Sequence, residues 1–464
     1  HPSVFGFKDV CNAWKADQFD PERLIALYKK AGARYFVAMA NHHDNFDNWD
    51  SKHQPWNAVK IGPRKDLIGL WEKAARKAGL HFGVTVHAAR AWEWYEASQL
   101  SDTNGPRAGV PYDGNLTAAD GKGKWWEGLD PQDLYAQRHP TSSDVINRNN
   151  PNRTRGPPPN AAYCRKFYNR VIDLVDSYNP DLLYFDDGGL PLGGVDRRIG
   201  LSIAAHLYNS SLTRHGGRND AVMNTKRIND EMRRCWVLDI ERGVSGGVDP
   251  RPWQTDTCIG VWHYQRSVYE QHKYKTVTQV VHTLMDIISK NGNLLLNIPV
   301  RGNGTIDADE EAFLAGLGDW MAVNSEAVYG TRPWKIFGEG PAAVEQGEAG
   351  GHGGVRDTRG KPYTAEDFRF TTRNDTLYAA ALAWPADGRL AIRTLAGGAP
   401  GIKGDVTGVE LLGCKDKLVF KRDATGLIVT LPARKPCDHA FTLKITGFEL
   451  AGIKLSKTKQ SDPP

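Results

Sequence analysis

Cysteine is scarce in this chain and badly spaced for chemistry. Six occur in 464 residues: Cys11, Cys164, Cys235, Cys258, Cys414 and Cys437. No two share the C-x-x-C spacing of a zinc or redox pair. Cys414 and Cys437 flank a predicted hairpin region and could bridge in an oxidising compartment; buried free thiols are the equal alternative. Long apolar runs are missing too. No stretch approaches the roughly 18 residues that a bilayer span needs, so no membrane span is expected. Charge of one sign is also lacking. The net charge of +5 is spread along the whole chain, too little to argue for a nucleic-acid partner. No G-x-G-x-x-G follows an early strand, which weighs against a dinucleotide fold. The opening "HPSVFGFKD" shows no basic region followed by an apolar stretch, so no signal peptide is legible and the start reads as a mature, cut or incomplete terminus. Sequons at Asn115, Asn152, Asn209, Asn303 and Asn374 permit glycosylation without showing it. A periplasmic or extracellular location is the expectation.

What the chain does hold is ordinary globular material, 40% hydrophobic and 24% charged, with 14 Trp. Its length suits one large domain and a smaller one. Aromatic faces suit the C–H faces of sugars, although Trp also simply fills cores. Helical patterns alternate with short apolar strands through the first two thirds. "PERLIALYKKAG" predicts a helix with Pro in its first turn and Gly at its end, and "RYFVAMA" a buried strand after it. The pairs "KDLIGLWEKAARKAGL" with "HFGVTVHA" and "AAYCRKFYNRVIDLVDSY" with "DLLYFDD" repeat the unit. Such repetition predicts a parallel α/β sheet. A closed (β/α)8-like barrel leads, and an open doubly wound sheet is second. A polar segment between Arg90 and Asn160 carries "AWEWYE" and "KWWEG" and reads as a binding wall or a mobile insertion. After Trp334 the pattern changes to a Gly-rich stretch and then short alternating runs, which predict a C-terminal β-sandwich. The expected division is a catalytic barrel over 1–335, a linker over 336–362 and a sandwich over 363–464.

Parallel α/β folds build sites at the C-terminal ends of their strands. There the sequence places His42 and His43, then His87, Arg90, Trp92 and Trp94, then Asp186 and Asp187, then Lys226, then Asp239 and Glu241. Each has a bland alternative. An Asp pair before Gly-Gly often just makes a turn, and Glu241 beside Arg242 could be a surface ion pair. Convergence on one rim favours chemistry. Two carboxylates in an aromatic-lined pocket suit glycoside hydrolysis, one attacking and one protonating the leaving oxygen. Two rivals remain: a metal-assisted hydrolase using His42, His43, Asp44 and Asp47, and a sugar-binding protein without catalysis.

At these residues the chain resembles the α-L-fucosidases of glycoside hydrolase family 29. "GARYFVAMANHHDNFDNWDSKHQPWN" is similar to the segment carrying the family's H-H-D/E-x-F motif, "YNPDLLYFDD" to its nucleophile strand, and "KNGNLLLNIPVRGNGTI" to its K-N-G-N-L-L-L-N stretch. The resemblance implies a retaining exo-acting α-L-fucosidase that takes a fucosylated glycan and needs no cofactor or metal. It implies Asp186 as nucleophile and Glu241 as acid/base. Position 254, Glu in many relatives, is Gln here and cannot be an acid. His42, His43, His87, Tyr184, Trp262, Trp49, Trp92 and Lys226 become the expected substrate-binding residues. Activity on α-L-galactosides stays open, because they differ from fucosides only at C6. The family's opening F-x-I-H-W-G strand and E-W-Y segment have no counterpart here, so the barrel is expected to lack its first strand. A separate N-terminal segment completing the barrel, and a homo-oligomer, are open as partners.

Overall fold

The computed structural model describes residues 1–147, 149–345, 362–399 and 402–449. Most of the expected 336–362 linker therefore lies outside the described residues. The chain forms two compact units, one of residues 1–26, 33–236 and 302–305, the other of 27–32, 237–301 and 306–464.

In the first unit four strands run parallel in chain order: β1 (Tyr35–Asn41), β2 (His81–Val86), β3 (Leu182–Gly188) and β4 (Val222–Lys226). Local chemistry fixes the helices between them. Asp66 caps the Leu67–Lys77 helix by accepting from the Gly69 N–H, and Arg76 and Lys77 sit in its last turn, where cations meet the negative end of the helix dipole. Leu67, Ile68, Ala74 and Ala75 are its buried face. Asn160 caps the Ala161–Tyr178 helix in the same way. That helix stops where Asn179 turns left-handed at φ 47° and Pro180 denies a further N–H. The chain then enters β3, where Leu183, Tyr184 and Phe185 are all buried. Burial on both faces explains why β3 reads as a continuous apolar run rather than an alternating one.

The second unit carries three further parallel strands, β5 (Val237–Asp239), β6 (Trp253–Cys258) and β7 (Gly292–Asn297). The Val277–Ser289 helix before β7 opens with a reciprocal Thr276–Gln279 capping box, which satisfies two otherwise orphaned N–H groups. Antiparallel sheets follow. One has the order β12 (Lys403–Leu411), β15 (Phe441–Glu449), β10 (Thr376–Ala381), β9 (Phe368–Arg373), β8 (Arg332–Glu339); the other has β11 (Arg389–Ile392), β14 (Gly426–Thr430), β13 (Val419–Asp423). Phe368, Phe370, Leu377, Leu427, Leu443 and Ile445 are sealed in one core, as the alternating runs require. Residues 332–339 form a sandwich strand, so the sandwich takes in residues 336–339 of the expected linker and 332–335 of the expected barrel. Their pairing with β9 breaks register between Pro333 and Gly338, which blurs the period-2 signal.

The fold class is thus α/β, a (β/α)8-like strand–helix repeat followed by a β-sandwich. Seven parallel strands occur among the described residues. No helix of the described residues is long and apolar enough to cross a membrane. All six cysteines are free thiols; Cys437 Sγ accepts from Asn324 and lies 3.4 Å from the Ala440 carbonyl.

Candidate active site

The site is assembled in the first unit at the ends of β1 to β4. His42 and His43 follow β1, and His87 follows β2. A buried polar chain holds these two ends together. Asn41 Oδ1 accepts from the His87 and Ala88 N–H groups at 3.1 and 3.2 Å, and its amide donates to Asp47 at 2.9 Å. Asp47 in turn takes a two-point contact from Arg170, whose Nη1 also reaches Asn45 at 2.6 Å. Paired this way, a fully buried Arg and Asp are tolerable, because each charge is both neutralised and hydrogen-bonded. His43 Nδ1 lies 2.8 Å from the His87 carbonyl, which locks the ring relative to β2. Burial lowers His43 to a pKa of about 4, so it is neutral near pH 7 and offers an acceptor or a ligand at Nε2.

Asp186 is the acidic centre of this cluster. Its Oδ1 accepts from the Lys226 ammonium, and its Oδ2 lies 3.3 Å from His87 Nδ1 and 3.8 Å from His43 Nε2. Burial would push the carboxyl up, but His87 and Lys226 outweigh it and hold Asp186 well below the usual carboxylate range. Asp187 behaves oppositely. Burial raises it to about 6 despite the Arg90 guanidinium 3.6 Å away, and its Oδ2 has no hydrogen-bond partner among the described residues. Its carbonyl accepts from Thr225 Oγ1 at 3.0 Å, which braces the turn. The two neighbours diverge at a bulge. Phe185 pairs with Thr225, but Gly188 is next to pair, with Lys226. Bulges at strand ends re-aim side chains. Gly189 completes the turn at φ 92° and donates to the Lys226 carbonyl at 2.7 Å, a conformation that suits only glycine well.

Of the other expected residues, Lys226 joins the cluster directly. Tyr184 is buried beneath it, its ring 5.9 Å from Lys226 Nζ and 6.4 Å from His87. Trp49 and Trp92 do not offer faces to it. Trp49 is fully buried and donates to Asp173 at 3.1 Å. Trp92 donates to the Pro157 carbonyl and stacks on His139 at 4.2 Å. In both, the indole N–H needs a buried acceptor, and that acceptor directs the ring away from the cluster. The aromatic that does flank the histidines is Trp94, 37% exposed and 4.6 Å from the His43 ring. The motif "AWEW" contained both; a two-residue step on a short helix turns them to different sides. Arg90 beside Asp187 was likewise outside the expected substrate contacts.

Glu241 and Trp262 belong to the second unit. Glu241 is exposed just beyond β5, next to Arg242, whose N–H donates to the Asp256 carbonyl. Gln254 donates to Asp239 at 2.8 Å, so its side chain is committed to a buried hydrogen bond. The Trp262 carbonyl accepts from Asn297. The residues that could hold a metal ion among those described are His42, His43 and His87, one ligand atom of each lying within 4.8 Å of the others.

An ionised carboxylate with Lys226 on one oxygen and two imidazoles near the other, flanked by one exposed indole, can attack an electrophilic carbon while neighbouring groups bind hydroxyls. The comparisons agree with that chemistry. A family model described as Alpha-L-fucosidase matches residues 1–326, and one described as Alpha-L-fucosidase C-terminal domain matches residues 361–446. The plasma α-L-fucosidase of Rattus norvegicus is 26% identical over 465 residues, covering 96% of this chain and 81% of its own. The solved Thermotoga maritima α-fucosidase in complex with a mechanism-based inhibitor is 24% identical, with TM-score 0.65, over 95% of this chain and 82% of that one. A Bacteroides thetaiotaomicron family 29 α-L-fucosidase, solved as a trapped covalent intermediate with 2-fluoro-fucosyl fluoride, is 16% identical, with TM-score 0.61, over 95% and 85%. This chain belongs to the α-L-fucosidase family.

Proposed function

We propose that the chain is a retaining, exo-acting α-L-fucosidase acting on fucosylated glycans, with Asp186 as nucleophile and Glu241 as acid/base. The observation that carries the nucleophile assignment is the contrast between neighbours. Asp186 is kept ionised by Lys226 and His87 with 18% of its side chain exposed, whereas Asp187 is buried, raised to about 6 and faces Arg90. An attacking carboxylate must be ionised when the sugar arrives.

In the first step an Asp186 oxygen forms a bond to the anomeric carbon as the glycosidic C–O bond breaks. The leaving oxygen takes the electron pair and a proton from Glu241. In the second step Glu241 takes a proton from water, whose oxygen displaces Asp186 and restores the starting configuration. His42, His43 and His87 orient sugar hydroxyls, with Lys226 holding the carboxylate and Tyr184 supporting both from below. Trp94 is added as an aromatic wall, and Trp262 is retained as a sugar-facing aromatic. A catalytic region ending before β8 and a sandwich that takes in residues 332–339 with the expected 363–464 region are part of this proposal, as is a location outside the cytoplasm. Membership of this family does not favour the metal-dependent or non-catalytic alternatives.

The test is hydrolysis of an aryl α-L-fucoside followed by NMR. α-L-Fucose should be the first product seen. First appearance of the β-anomer would contradict a double displacement. Glu241→Ala should lose most activity on poor leaving groups, which need its proton, and azide should speed turnover of an activated aryl fucoside, where breakdown of the fucosyl-enzyme limits; full activity without azide would remove Glu241 from the mechanism.

A further inference from the structure

The imidazoles of His42, His43 and His87 make a nitrogen-donor cluster that hydroxyl binding alone does not require. Their ring centroids are 4.3 Å (His42–His43), 4.6 Å (His42–His87) and 5.6 Å (His43–His87) apart. His43 is already oriented as a metal ligand would be. Its Nδ1 faces the His87 carbonyl at 2.8 Å, so an Nδ1–H donates there and Nε2 keeps its lone pair. A backbone carbonyl on the distal nitrogen is the usual way that ligating histidines are aimed. A carboxylate stands beside the donors, Asp186 Oδ2 lying 3.8 Å from His43 Nε2 and 3.3 Å from His87 Nδ1. Zinc takes imidazole nitrogen at about 2.0–2.1 Å in tetrahedral sites. The ligand atoms of the three histidines, within 4.8 Å of one another, need to draw in by roughly an ångström to reach that geometry, and Asp186, outside that set, must turn in to join them.

We propose that this rim is also a transition-metal site, in which a Zn2+-class ion binds His42, His43 and His87 with Asp186 and excludes the sugar. Imidazole donors favour Zn2+, Cu2+ and Ni2+ over Mg2+ and Ca2+. The ion is an inhibitor and not a cofactor, since it occupies the carboxylate that must attack. Asp47 takes no part, because Arg170 holds both of its oxygens. The exclusion of sugar rests on the function proposed above; metal binding itself does not.

The experiment titrates chelator-stripped protein with ZnCl2 by calorimetry. One Zn2+ per chain is expected, with no heat from MgCl2. His42→Gln and His87→Gln should each raise the Kd at least about 100-fold, since loss of even an orienting partner of a ligand costs about 10- to 100-fold, while His272→Gln, at an exposed Asp309 pair, leaves it unchanged. Undiminished Zn2+ binding in both rim variants would overturn the proposal. If a variant does not fold, diethylpyrocarbonate labelling of the unaltered protein replaces it: Zn2+ should protect these three histidines, and labelling unchanged by Zn2+ would also overturn it. L-Fucose should weaken Zn2+ binding, and Zn2+ should raise KM for an aryl α-L-fucoside without changing kcat, reversibly with EDTA. Zn2+ binding that is lost in the rim variants yet indifferent to L-fucose would leave the metal site standing and sink the sugar-site assignment instead.

Discussion

Asp186 in the first unit and Asp286 in the second are built on the same electrostatic plan and serve different ends. Each is a carboxylate, Asp286 buried and Asp186 half-buried, whose pKa is lowered because basic neighbours outweigh desolvation. Asp286 takes Lys290 at 2.7 Å on one oxygen and Arg369 at 2.6 Å on the other, and all three side chains are sealed from water. Arg369 is completed by the Phe368 carbonyl, and Lys290 lies over the Phe337 ring. Asp186 has a full cation on only one oxygen, and its side chain keeps 18% exposure. Its other oxygen meets two histidines. A carboxylate closed by two cations ties the Val277–Ser289 helix to β9. A carboxylate closed by one keeps a lone pair for chemistry. The difference is in what faces the second oxygen, and charge count alone does not reveal it.

The sharpest way to break this comparison is to remove the open carboxylate. Asp186→Gly should lower kcat by about four orders of magnitude or more, the range found when a covalent nucleophile is removed, and azide should restore part of it. Any fall in melting temperature should be smaller than at the closed carboxylate, because the Asp186 side chain keeps 18% exposure. The closed carboxylate should respond the other way. Arg369→Met leaves Asp286 short of one cation and should destabilise by about 3–5 kcal/mol in denaturant titrations, with kcat per folded molecule unchanged. Equal activity loss in both variants would erase the distinction.

Lys226→Met tests the single cation at the open site. Loss of a charge-assisted hydrogen bond is worth about 1.5–3 kcal/mol, so kcat/KM should fall about 10- to 150-fold. Because Lys226 lowers the Asp186 pKa, its removal raises it, and the acid limb of the pH profile should move to higher pH. An unmoved limb would show that Lys226 does not govern ionisation of Asp186.

Asp187 gives a pH-dependent prediction of opposite sign to the ordinary carboxylate. Its pKa rises from 3.8 to about 6 on folding, so the folded state binds the proton more tightly. Stability attributable to Asp187 is therefore fully present below pH 3.8 and lost as pH rises through 6. Asp187→Asn should stabilise the protein at pH 7 more than at pH 4.5, read as a melting-temperature difference. The smallest expected effect is Trp94→Ala, which should raise KM severalfold by removing one sugar-facing ring, with kcat little changed.

The larger features were legible in the sequence because each carries a local signal. The strand–helix repeat is written in apolar runs, caps and Asn-Pro or Gly stops. The sandwich is written in period-2 alternation. The cluster of His42, His43, His87, Asp186 and Lys226 follows from reading the strand ends. Orientation is what the sequence leaves open. Alternation along β3 separates Asp186 from Asp187 without saying which faces the site, and the bulge between Phe185 and Gly188 depends on pairing with β4. Trp92 and Trp94 differ by where a buried acceptor lies, at Pro157, 65 residues away from Trp92. The Asn41–Asp47–Arg170 chain was invisible for the same reason, since Arg170 meets Asp47 across 123 residues.

The identity of the attacking carboxylate is decided most directly by trapping it. The protein would be incubated with 2-fluoro-fucosyl fluoride, digested, and the labelled peptide sequenced by mass spectrometry. The account predicts one fucosyl ester per chain, on Asp186, in the peptide containing "DLLYFDDGG". An ester on Asp187 or Glu241 would contradict it.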